Sequence, residues 1–279
     1  GDMMRIAQRS VRKYKLAPSY ANIDENALLE RCNKFVNTSN NTVTSDRNQR
    51  VMYFAGCMTS LTPSISKSTV AILQKAGIRF EIMDKDGGIC CGRPMLMAGR
   101  IAQAKEMIEK NTAIIKASGA DTLLLSCPIC YKIFKEQYQL EEIEVIHHTE
   151  FFDRLIESGK ITLNGSDTRY VYHDPCELGR GGGIYEQPRN VVRKAGELVE
   201  AEKHGKESIC CGGSLGSLTL GFDKRKALTE NALANLTIAS PDTIVTACPL
   251  CRSTFNRYSD IPVKDIAEIV DEATRKKKR

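Results

Sequence analysis

The sequence predicts an α/β protein built from two tandem, pseudo-symmetric βαβ-type units, each with a small, mostly parallel sheet flanked by helices. One pattern of cysteines occurs twice along the chain, and short apolar runs alternate with longer stretches of helical periodicity. The chain has 279 residues, of which 42% are hydrophobic and 27% charged, as in globular proteins. This length is sufficient for two domains of ordinary size.

The cysteine pattern repeats in detail. Each copy has a single cysteine, a Cys-Cys-Gly string after 32 or 33 further residues, and a Cys-Pro-x-Cys string after 34 or 35 more. Corresponding cysteines lie 119 to 121 residues apart, so the chain contains two copies of one unit. The first copy contributes Cys57, Cys90, Cys91, Cys127 and Cys130. The second contributes Cys176, Cys210, Cys211, Cys248 and Cys251, while Cys32 lies outside the pattern.

Secondary structure follows from apolar periodicity. Short apolar runs predict strands, and stretches with apolar residues every three or four positions predict helices. In the first unit the predicted strands are 51–55, 78–83, 122–125 and 144–146, and the predicted helices are 63–75, 98–118, 128–138 and 150–157. In the second unit the predicted strands are 169–172 and 243–247, and the predicted helices are 184–200 and 223–238.

These elements divide the chain into four parts. Residues 1–36 are predicted to be a helical lead-in, followed to residue 50 by a linker rich in Asn, Thr and Ser. The first cysteine-rich domain is predicted at 51–165 and the second at 166–274. Residues 275–279 form a basic tail.

The distribution of charge excludes one class of function. The chain has 40 Lys and Arg against 34 Asp and Glu, a net charge of +6. The first 50 residues hold +4 of this total and the last five hold +5, which leaves −3 for residues 51–274. A basic nucleic-acid-binding surface on the body of the protein is therefore disfavoured, and we expect no nucleic-acid partner.

The number of cysteines bears on the redox compartment. An odd total of 11, with no recognisable export signal, argues against a disulfide framework. No apolar run approaches the roughly 18 residues needed to span a bilayer. We therefore expect a cytoplasmic protein with reduced thiols that serve as metal ligands or redox groups.

The predicted fold brings these thiols together. In a parallel α/β sheet, ligand sites form beyond the carboxyl ends of the strands, where the single cysteines and the Cys-Pro-x-Cys strings both lie. Pro128 and Pro249 suit the first position of a helix, which places Cys127 and Cys248 at a helix N-terminus that favours the thiolate. Gly92 and Gly212 allow backbone amides to approach the sulfurs closely.

The donor set indicates the metal. Soft thiolates select zinc, Cu(I) or iron–sulfur clusters. Zinc sites normally use four ligands in compact pairs, whereas this chain offers five cysteines twice, each time with one adjacent pair. The surplus favours a cluster with several irons, although the usual ferredoxin spacing is absent.

These motifs resemble those of the cysteine-rich CCG domain family. The strings are Phe54-Ala55-Gly56-Cys57-Met58, Cys90-Cys91-Gly92-Arg93-Pro94 and His173-Asp174-Pro175-Cys176, and the resemblance covers about residues 51–257. The family includes the B and D subunits of heterodisulfide reductase and iron–sulfur subunits of glycolate oxidase, lactate-utilisation and anaerobic glycerol-3-phosphate dehydrogenase systems. Many relatives have His after the cysteine of the last string, where this chain has Glu177.

The resemblance implies a cofactor and a role. Each five-cysteine set is expected to hold an iron–sulfur cluster, in heterodisulfide reductase a non-cubane [4Fe–4S] cluster, with zinc in one half as an alternative. The implied function is electron transfer from a flavin dehydrogenase acting on a hydroxy acid or glycerol phosphate towards quinone at the inner face of the membrane. Ferredoxin-like and flavin domains or subunits are the expected partners, in a longer protein. The alternatives are a catalytic thiol–disulfide reductase and a zinc-stabilised interaction module.

The remaining candidates are weaker. His173 is predicted to lie near the second cluster as a hydrogen-bond donor or proton relay, or to be an ordinary hydrogen-bonded histidine. His147-His148 has no matched partner in the repeat and is not expected to bind metal. The glycine-rich segment 179–183 lacks the third glycine of a dinucleotide loop and is predicted to be a flexible loop over the second site. Arg93 and Arg180 are predicted to be solvated or salt-bridged.

Overall fold

The computed structural model describes residues 49–85, 89–214, 217 and 219–275. The predicted lead-in, nearly all of the linker, Cys32 and residues 276–279 of the basic tail lie outside the described residues. The described chain is an α/β protein with two four-stranded sheets, in which every pair of neighbouring strands is parallel. The predicted fold class is therefore confirmed.

The first sheet is formed by residues 50–147, with strand order β2-β1-β3-β4. The central strands β1 and β3 are apolar and almost wholly buried, as expected for parallel strands covered by helices on both faces. The elements are β1 (Arg50–Phe54), α1 (Gly56–Ser60), α2 (Pro63–Lys75), β2 (Arg79–Ile82), α3 (Arg93–Met97), α4 (Ile101–Ala117), β3 (Thr122–Leu125), α5 (Pro128–Gln137), β4 (Glu144–His147) and α6 (His148–Glu157).

The second sheet is formed by residues 169–265, with the matching order β6-β5-β7-β8. Its elements are β5 (Arg169–His173), α7 (Gly179–Gly182), α8 (Glu186–Ala195), β6 (Glu197–Val199), a 3₁₀ turn (Gly205–Glu207), α9 (Phe222–Thr237), β7 (Thr243–Thr246), α10 (Pro249–Phe255), β8 (Val263–Asp265) and α11 (Ile266–Ala273). The equal strand orders show the internal duplication in three dimensions. The exact domain limits at 165 and 166 stay a prediction.

Two predictions for the second unit were wrong, and two of its elements were missed. The predicted helix 184–200 ends at Ala195, and the chain then forms the edge strand β6. Gly196 lies so close to β5 that a Cβ atom there would be 2.7 Å from the Thr168 carbonyl oxygen, so the chain turns onto the sheet at this point. The predicted flexible loop 179–183 is instead mostly the short helix α7. The elements β8 and α11 were not predicted at all.

The final helix of each unit begins in the same way. The side chain of His147 accepts a hydrogen bond at the N-terminus of α6, and that of Asp265 does so at α11. Each is completed by a glutamate three residues later, Glu150 or Glu268, which makes a capping box. Asp265 is thus the structural counterpart of His147, although the two residue types do not match.

The two units pack on each other through two helix pairs, α2 with α11 and α6 with α8. One apolar core runs through both units. Polar contacts cross the interface, including the ion pair between Lys75 and Asp271 at 2.7 Å and the fully buried contact of His148 Nε2 with Asp265 Oδ1 at 3.2 Å. Among the described helices, none has both the length and the apolar character needed to cross a membrane.

Candidate metal centres

The ten repeated cysteines lie at equivalent places in the two sheets. In the first sheet β1 and β3 are neighbours, and Phe54 at the end of β1 pairs with Leu125 at the end of β3. Cys57 and Cys127 therefore follow two adjacent strand ends, within three residues of this pair. The connections leave β1 and β3 in opposite directions, which opens a crevice at this edge, the usual ligand site of such sheets.

In the first unit the five thiols contact one another in a single series. The Cys90 thiol contacts those of Cys57 and Cys91, and the Cys130 thiol contacts those of Cys91 and Cys127. The backbone before Cys57 also lies in the crevice, because a Cβ on Gly56 would be 3.3 Å from Cys130 Sγ. The structure thus brings together all five cysteines of the first predicted set.

The second unit repeats this series with equivalent residues. Cys210 contacts Cys176 and Cys211, and Cys251 contacts Cys211 and Cys248. The strand pair that precedes these residues is His173 with Thr246, at the ends of β5 and β7. The same chemistry is therefore assembled twice by the same topology.

The two thiol sets share one pattern of exposure. The second cysteine of each Cys-Cys pair and both cysteines of each Cys-Pro-x-Cys string are buried. Cys57 is exposed, and Cys90, Cys176 and Cys210 are partly exposed. Each set is consequently anchored in the protein and open on one side.

Hydrogen bonds concentrate negative charge on the first cysteine of each adjacent pair. The pKa of Cys90 is lowered to about 3 because the thiols of Cys57 and Cys91 and the Gly92 amide donate to its sulfur. The pKa of Cys210 is lowered to about 2 for the equivalent reason. The pKa of Cys57 is raised, chiefly because its thiol donates to the Cys90 sulfur. Cys90 and Cys210 are thus the preferred thiolates.

The predicted helix N-termini are also present. Cys127 immediately precedes α5 and Cys248 precedes α10, each with proline at the first helical position. The pKa of Cys127 is lowered because the Cys130 thiol donates to its sulfur and because the amides of Cys130 and Ile129 point towards it. The free amides of the helix end therefore stabilise a thiolate, as expected for a helix dipole.

Glycine is required after each Cys-Cys pair. Gly92 has φ = 90° and Gly212 has φ = 77°, in the left-handed region that other residues rarely adopt. The Gly92 amide lies 3.4 Å from Cys90 Sγ and donates to it. The predicted close approach of backbone amides to sulfur is therefore present at these turns.

His173 lies near the second set, and its ring binds a backbone carbonyl and a threonine hydroxyl. Its Nε2 is 3.2 Å from the Ile209 carbonyl oxygen, and its Nδ1 is 3.2 Å from Thr246 Oγ1. Burial lowers its pKa to about 4. His173 thus fixes the chain just before Cys210, and a direct role towards a cofactor stays a prediction.

The charged residues beside the thiols link the two units. Glu177, which follows Cys176, lies 3.5 Å from Arg93 and 3.7 Å from Lys132 of the first unit. Arg180 donates to the carbonyl oxygens of residues 206 and 208 at 2.9 Å. The prediction that Arg93 is salt-bridged is confirmed. Sequence analysis missed Lys132, although its position two residues after Cys130 was a usable signal.

The donor chemistry fits an iron–sulfur group. A mononuclear zinc site takes four ligands around one ion. Each unit instead offers five soft sulfurs in a connected series, with amide donors beside them, which is the donor set that iron–sulfur clusters use.

Comparison with known proteins agrees with this chemistry. The chain matches the family described as "CCG: Cysteine-rich domain" at residues 51–135 and 170–256. It is 31% identical to the D subunit of dihydromethanophenazine:CoB–CoM heterodisulfide reductase from Methanosarcina acetivorans, over 80% of this chain and 58% of that protein. It is 29% identical to EtfAB:quinone oxidoreductase from Syntrophomonas wolfei, over 72% of this chain and 30% of that protein.

A third relative and one solved structure complete the comparison. The B subunit of fumarate reductase (CoM/CoB) from Methanothermobacter marburgensis is 28% identical over 80% of this chain and 46% of its own length. The chain thus spans between about a third and three fifths of these relatives. Aspartate racemase from Picrophilus torridus aligns in structure with 13% identity over 81% of this chain and 93% of that one, but the TM-score of 0.38 carries no argument.

Proposed function

The chain belongs to the CCG family of cysteine-rich domains, and we propose that it is the iron–sulfur electron-transfer module of a flavin-linked dehydrogenase. Family membership and the relatives support electron transfer in an iron–sulfur oxidoreductase. The flavin-linked dehydrogenase, of hydroxy acid or glycerol phosphate type, and the delivery of electrons towards quinone are the finer parts of the proposal. The observation that carries it is the assembly of two equivalent five-thiol series at the carboxyl edges of the sheets.

The protein's own residues would do three things for such a cofactor. Cys57, Cys90, Cys91, Cys127 and Cys130 would hold one cluster, and Cys176, Cys210, Cys211, Cys248 and Cys251 the other. A bound iron–sulfur cluster supplies reversible one-electron chemistry. The buried cysteines anchor it, the glycine amides donate hydrogen bonds to its thiolates, and the open side gives electron donors and acceptors access.

Contacts between the units support passage of electrons from one site to the other. Arg93 follows the Cys-Cys pair of the first site, Lys132 follows its last cysteine, and both lie within 4 Å of Glu177 beside the second site. The helix α7 also packs against α5, which carries Cys130. Charged residues beside the two thiol series therefore meet at the interface between the units.

The partners follow from the relatives and from the protein's incomplete coverage of them. One relative is named EtfAB:quinone oxidoreductase, which supports a flavoprotein as donor and quinone as acceptor. This chain spans only 30% of that protein. We propose that ferredoxin-like and flavin domains or subunits deliver electrons to this chain, at a cytoplasmic location on the inner face of the membrane.

Anaerobic reconstitution tests the proposal. The chain, loaded with iron and sulfide, should hold about eight of each, four for each thiol set, with zinc absent. Cys90→Ser and Cys210→Ser should each remove one electron paramagnetic resonance signal and spare the other. Cys32→Ser is the matched control, because Cys32 lies outside the repeat, and it should retain the full content.

The other outcomes are equally informative. Zinc bound without acid-labile sulfide would refute the electron-transfer role and support an interaction module. Zinc in one half and an iron–sulfur cluster in the other would restrict electron transfer to the half that holds the cluster. Loss of both signals from either single variant would refute two independent sites.

A catalytic disulfide reductase is the second candidate, and two observations favour it. The heterodisulfide reductase relative is 31% identical to this chain, and Cys57 is solvent-exposed at the open side of its thiol set. Steady-state reduction of the CoB–CoM heterodisulfide by the loaded chain, with a reduced viologen as electron donor, decides between the two. Turnover that requires Cys57 supports the reductase, whereas electron transfer to a quinone analogue without disulfide turnover supports the carrier.

A further inference from the structure

We propose that Tyr138 in the first unit and Thr229 in the second are positioning residues for the sulfur sites. Each hydroxyl binds the carbonyl oxygen of the second cysteine of its Cys-Cys pair. The amide of the same peptide group donates to the sulfur of the first cysteine, so the hydroxyl orients this amide. The hydrogen bonds are present in the protein without metal. Only their effect on a cluster rests on the proposed function.

In the first unit a continuous hydrogen-bond chain leads to Cys90. The Tyr138 hydroxyl donates to the Cys91 carbonyl oxygen at 3.1 Å. The same peptide group carries the Gly92 amide, which donates to Cys90 Sγ at 3.4 Å. In a trans peptide the C=O and N–H bonds point in opposite directions, so fixing the carbonyl towards Tyr138 aims the amide at the sulfur.

Asn111 of α4 fixes the direction of the Tyr138 hydroxyl. Its Nδ2 donates to Tyr138 Oη at 2.9 Å and to the Cys90 carbonyl oxygen at 3.0 Å. The phenol oxygen therefore accepts from Asn111 and keeps its one hydrogen for Cys91. Asn111 and Tyr138 are both buried, so water does not compete for these groups. Successive hydrogen bonds polarise one another, which makes the Gly92 amide a better donor to sulfur.

The second unit reaches the same result with a different residue. Thr229 of α9 lies with its Oγ1 2.9 Å from the Cys211 carbonyl oxygen. The peptide that follows carries the Gly212 amide, which donates to the Cys210 sulfur. Thr229 also lies 3.0 Å from the Arg225 carbonyl oxygen, and its single hydrogen is shared between the two acceptors. The contribution of Thr229 should thus be smaller than that of Tyr138.

The chemical consequence concerns the stability of negative charge on sulfur. A hydrogen bond to a ligand sulfur stabilises the more negative, reduced form of a cluster and so raises its reduction potential. Removing the hydroxyl weakens this donor without removing any ligand. The potential of one site should then fall while that of the other stays the same.

Labelling with ¹³C-carbonyl cysteine and ¹⁵N-glycine gives a readout that needs no metal. Only two glycines follow a cysteine in this sequence, Gly92 and Gly212, so a carbonyl-selected spectrum of the reduced chain contains two amide signals. Replacing Cys91 with serine removes the Gly92 signal and assigns both. A weakened hydrogen bond moves an amide proton upfield.

Four variants separate positioning from general damage. Tyr138→Phe should move only the Gly92 amide signal upfield. Thr229→Val should move only the Gly212 amide signal, and by a smaller amount. Thr229→Ser keeps the hydroxyl and should leave Gly212 at its wild-type position. Tyr131→Phe removes a hydroxyl from α5, the helix that ends immediately before Tyr138, and should move neither signal. An unmoved Gly92 signal in a folded Tyr138→Phe chain, or equal movement of both signals, overturns the proposal.

Redox titration of the loaded chain extends the test. In Tyr138→Phe the oxidised-to-reduced ratio of the first cluster at fixed potential should rise by up to about tenfold, the effect of one lost hydrogen bond, or about 59 mV for a one-electron couple. An unchanged potential overturns the redox part of the proposal. If the chain binds no cluster, the proposed function fails, while the amide spectrum still decides whether Tyr138 and Thr229 act as described.

Discussion

Replacing Asp84 with asparagine should change how the stability of the protein depends on pH. Asp84 is buried beyond the end of β2 and accepts hydrogen bonds from the amides of Ala55 at 3.1 Å and Gly56 at 2.8 Å. These amides immediately precede Cys57, so Asp84 holds the start of the first thiol site. Burial outweighs the two hydrogen bonds and raises the pKa of Asp84 from 3.8 to about 6.

The sign and size of the effect follow from this shift. A group whose pKa is raised in the folded state stabilises the protein fully below its unfolded pKa, and this contribution is lost as the pH rises through the folded pKa. A change from 3.8 to about 6 corresponds to about 3 kcal/mol, at about 1.4 kcal/mol for each pH unit. Asparagine does not ionise and accepts one of the two amide hydrogen bonds. Relative to Asp84→Asn, the wild-type chain should therefore lose about 3 kcal/mol between about pH 4 and pH 7.

Urea unfolding of the reduced, metal-free chain at a series of pH values measures this difference. Subtracting the two curves removes groups common to both proteins. Among these is His173, whose lowered pKa makes stability rise with pH over the same range. A difference in the free energy of unfolding that stays constant from about pH 4 to pH 7 would refute the reasoning, because it would show that Asp84 titrates alike in the folded and unfolded chain.

Two further substitutions test buried contacts at the second site. Arg189→Met should lower the free energy of unfolding in urea by about 3 to 5 kcal/mol, because the buried carboxylate of Asp174, which Arg189 binds at 2.7 and 2.8 Å, loses its charged partner. Arg193→Met, an exposed control on the same helix, should change stability by about 0.5 kcal/mol or less. Gly212→Ala places a Cβ 3.2 Å from a backbone carbonyl at φ = 77° and should lower the iron content of the second site only. Gly205→Ala, with φ = 57° and open space around the new Cβ, should retain all the iron, and equal losses in both variants would contradict the crowding argument.

The arrangement of the thiols could be predicted from sequence because it depends on topology. Strand ends that lie side by side in a parallel sheet bring together residues distant in the chain, and the repeated spacing fixed which residues these were. The left-handed turn at Gly92 and the helix start at Cys127 were predictable from the local sequence, because glycine follows the Cys-Cys pair and proline follows Cys127.

The failures have physical causes. Strands β6 and β8 have three residues each, too few to show periodicity, and they exist because they pair with β5 and β7. The glycine-rich α7 has little intrinsic helix propensity. It lies so close to the first unit that a Cβ on Gly182 would be 3.2 Å from the Tyr131 ring. His147 and Asp265 serve the same capping role with different chemistry, so no comparison of residue types could match them. Tyr138 and Thr229 bind equivalent carbonyls but lie in different parts of their units, so a sequence comparison of the two units does not align them.

The two main helix pairs at the interface are equivalent when the two units are exchanged. Helices α2 and α8 lie between the first two strands of their units, and α6 and α11 follow the last strand, so α2 with α11 and α8 with α6 are equivalent. A two-fold axis generates this reciprocity between identical subunits. The two halves of the chain thus pack on each other as the protomers of a two-fold dimer do. They differ in sequence at equivalent positions, with histidine or aspartate at the start of the final helix and tyrosine or threonine behind the sulfurs.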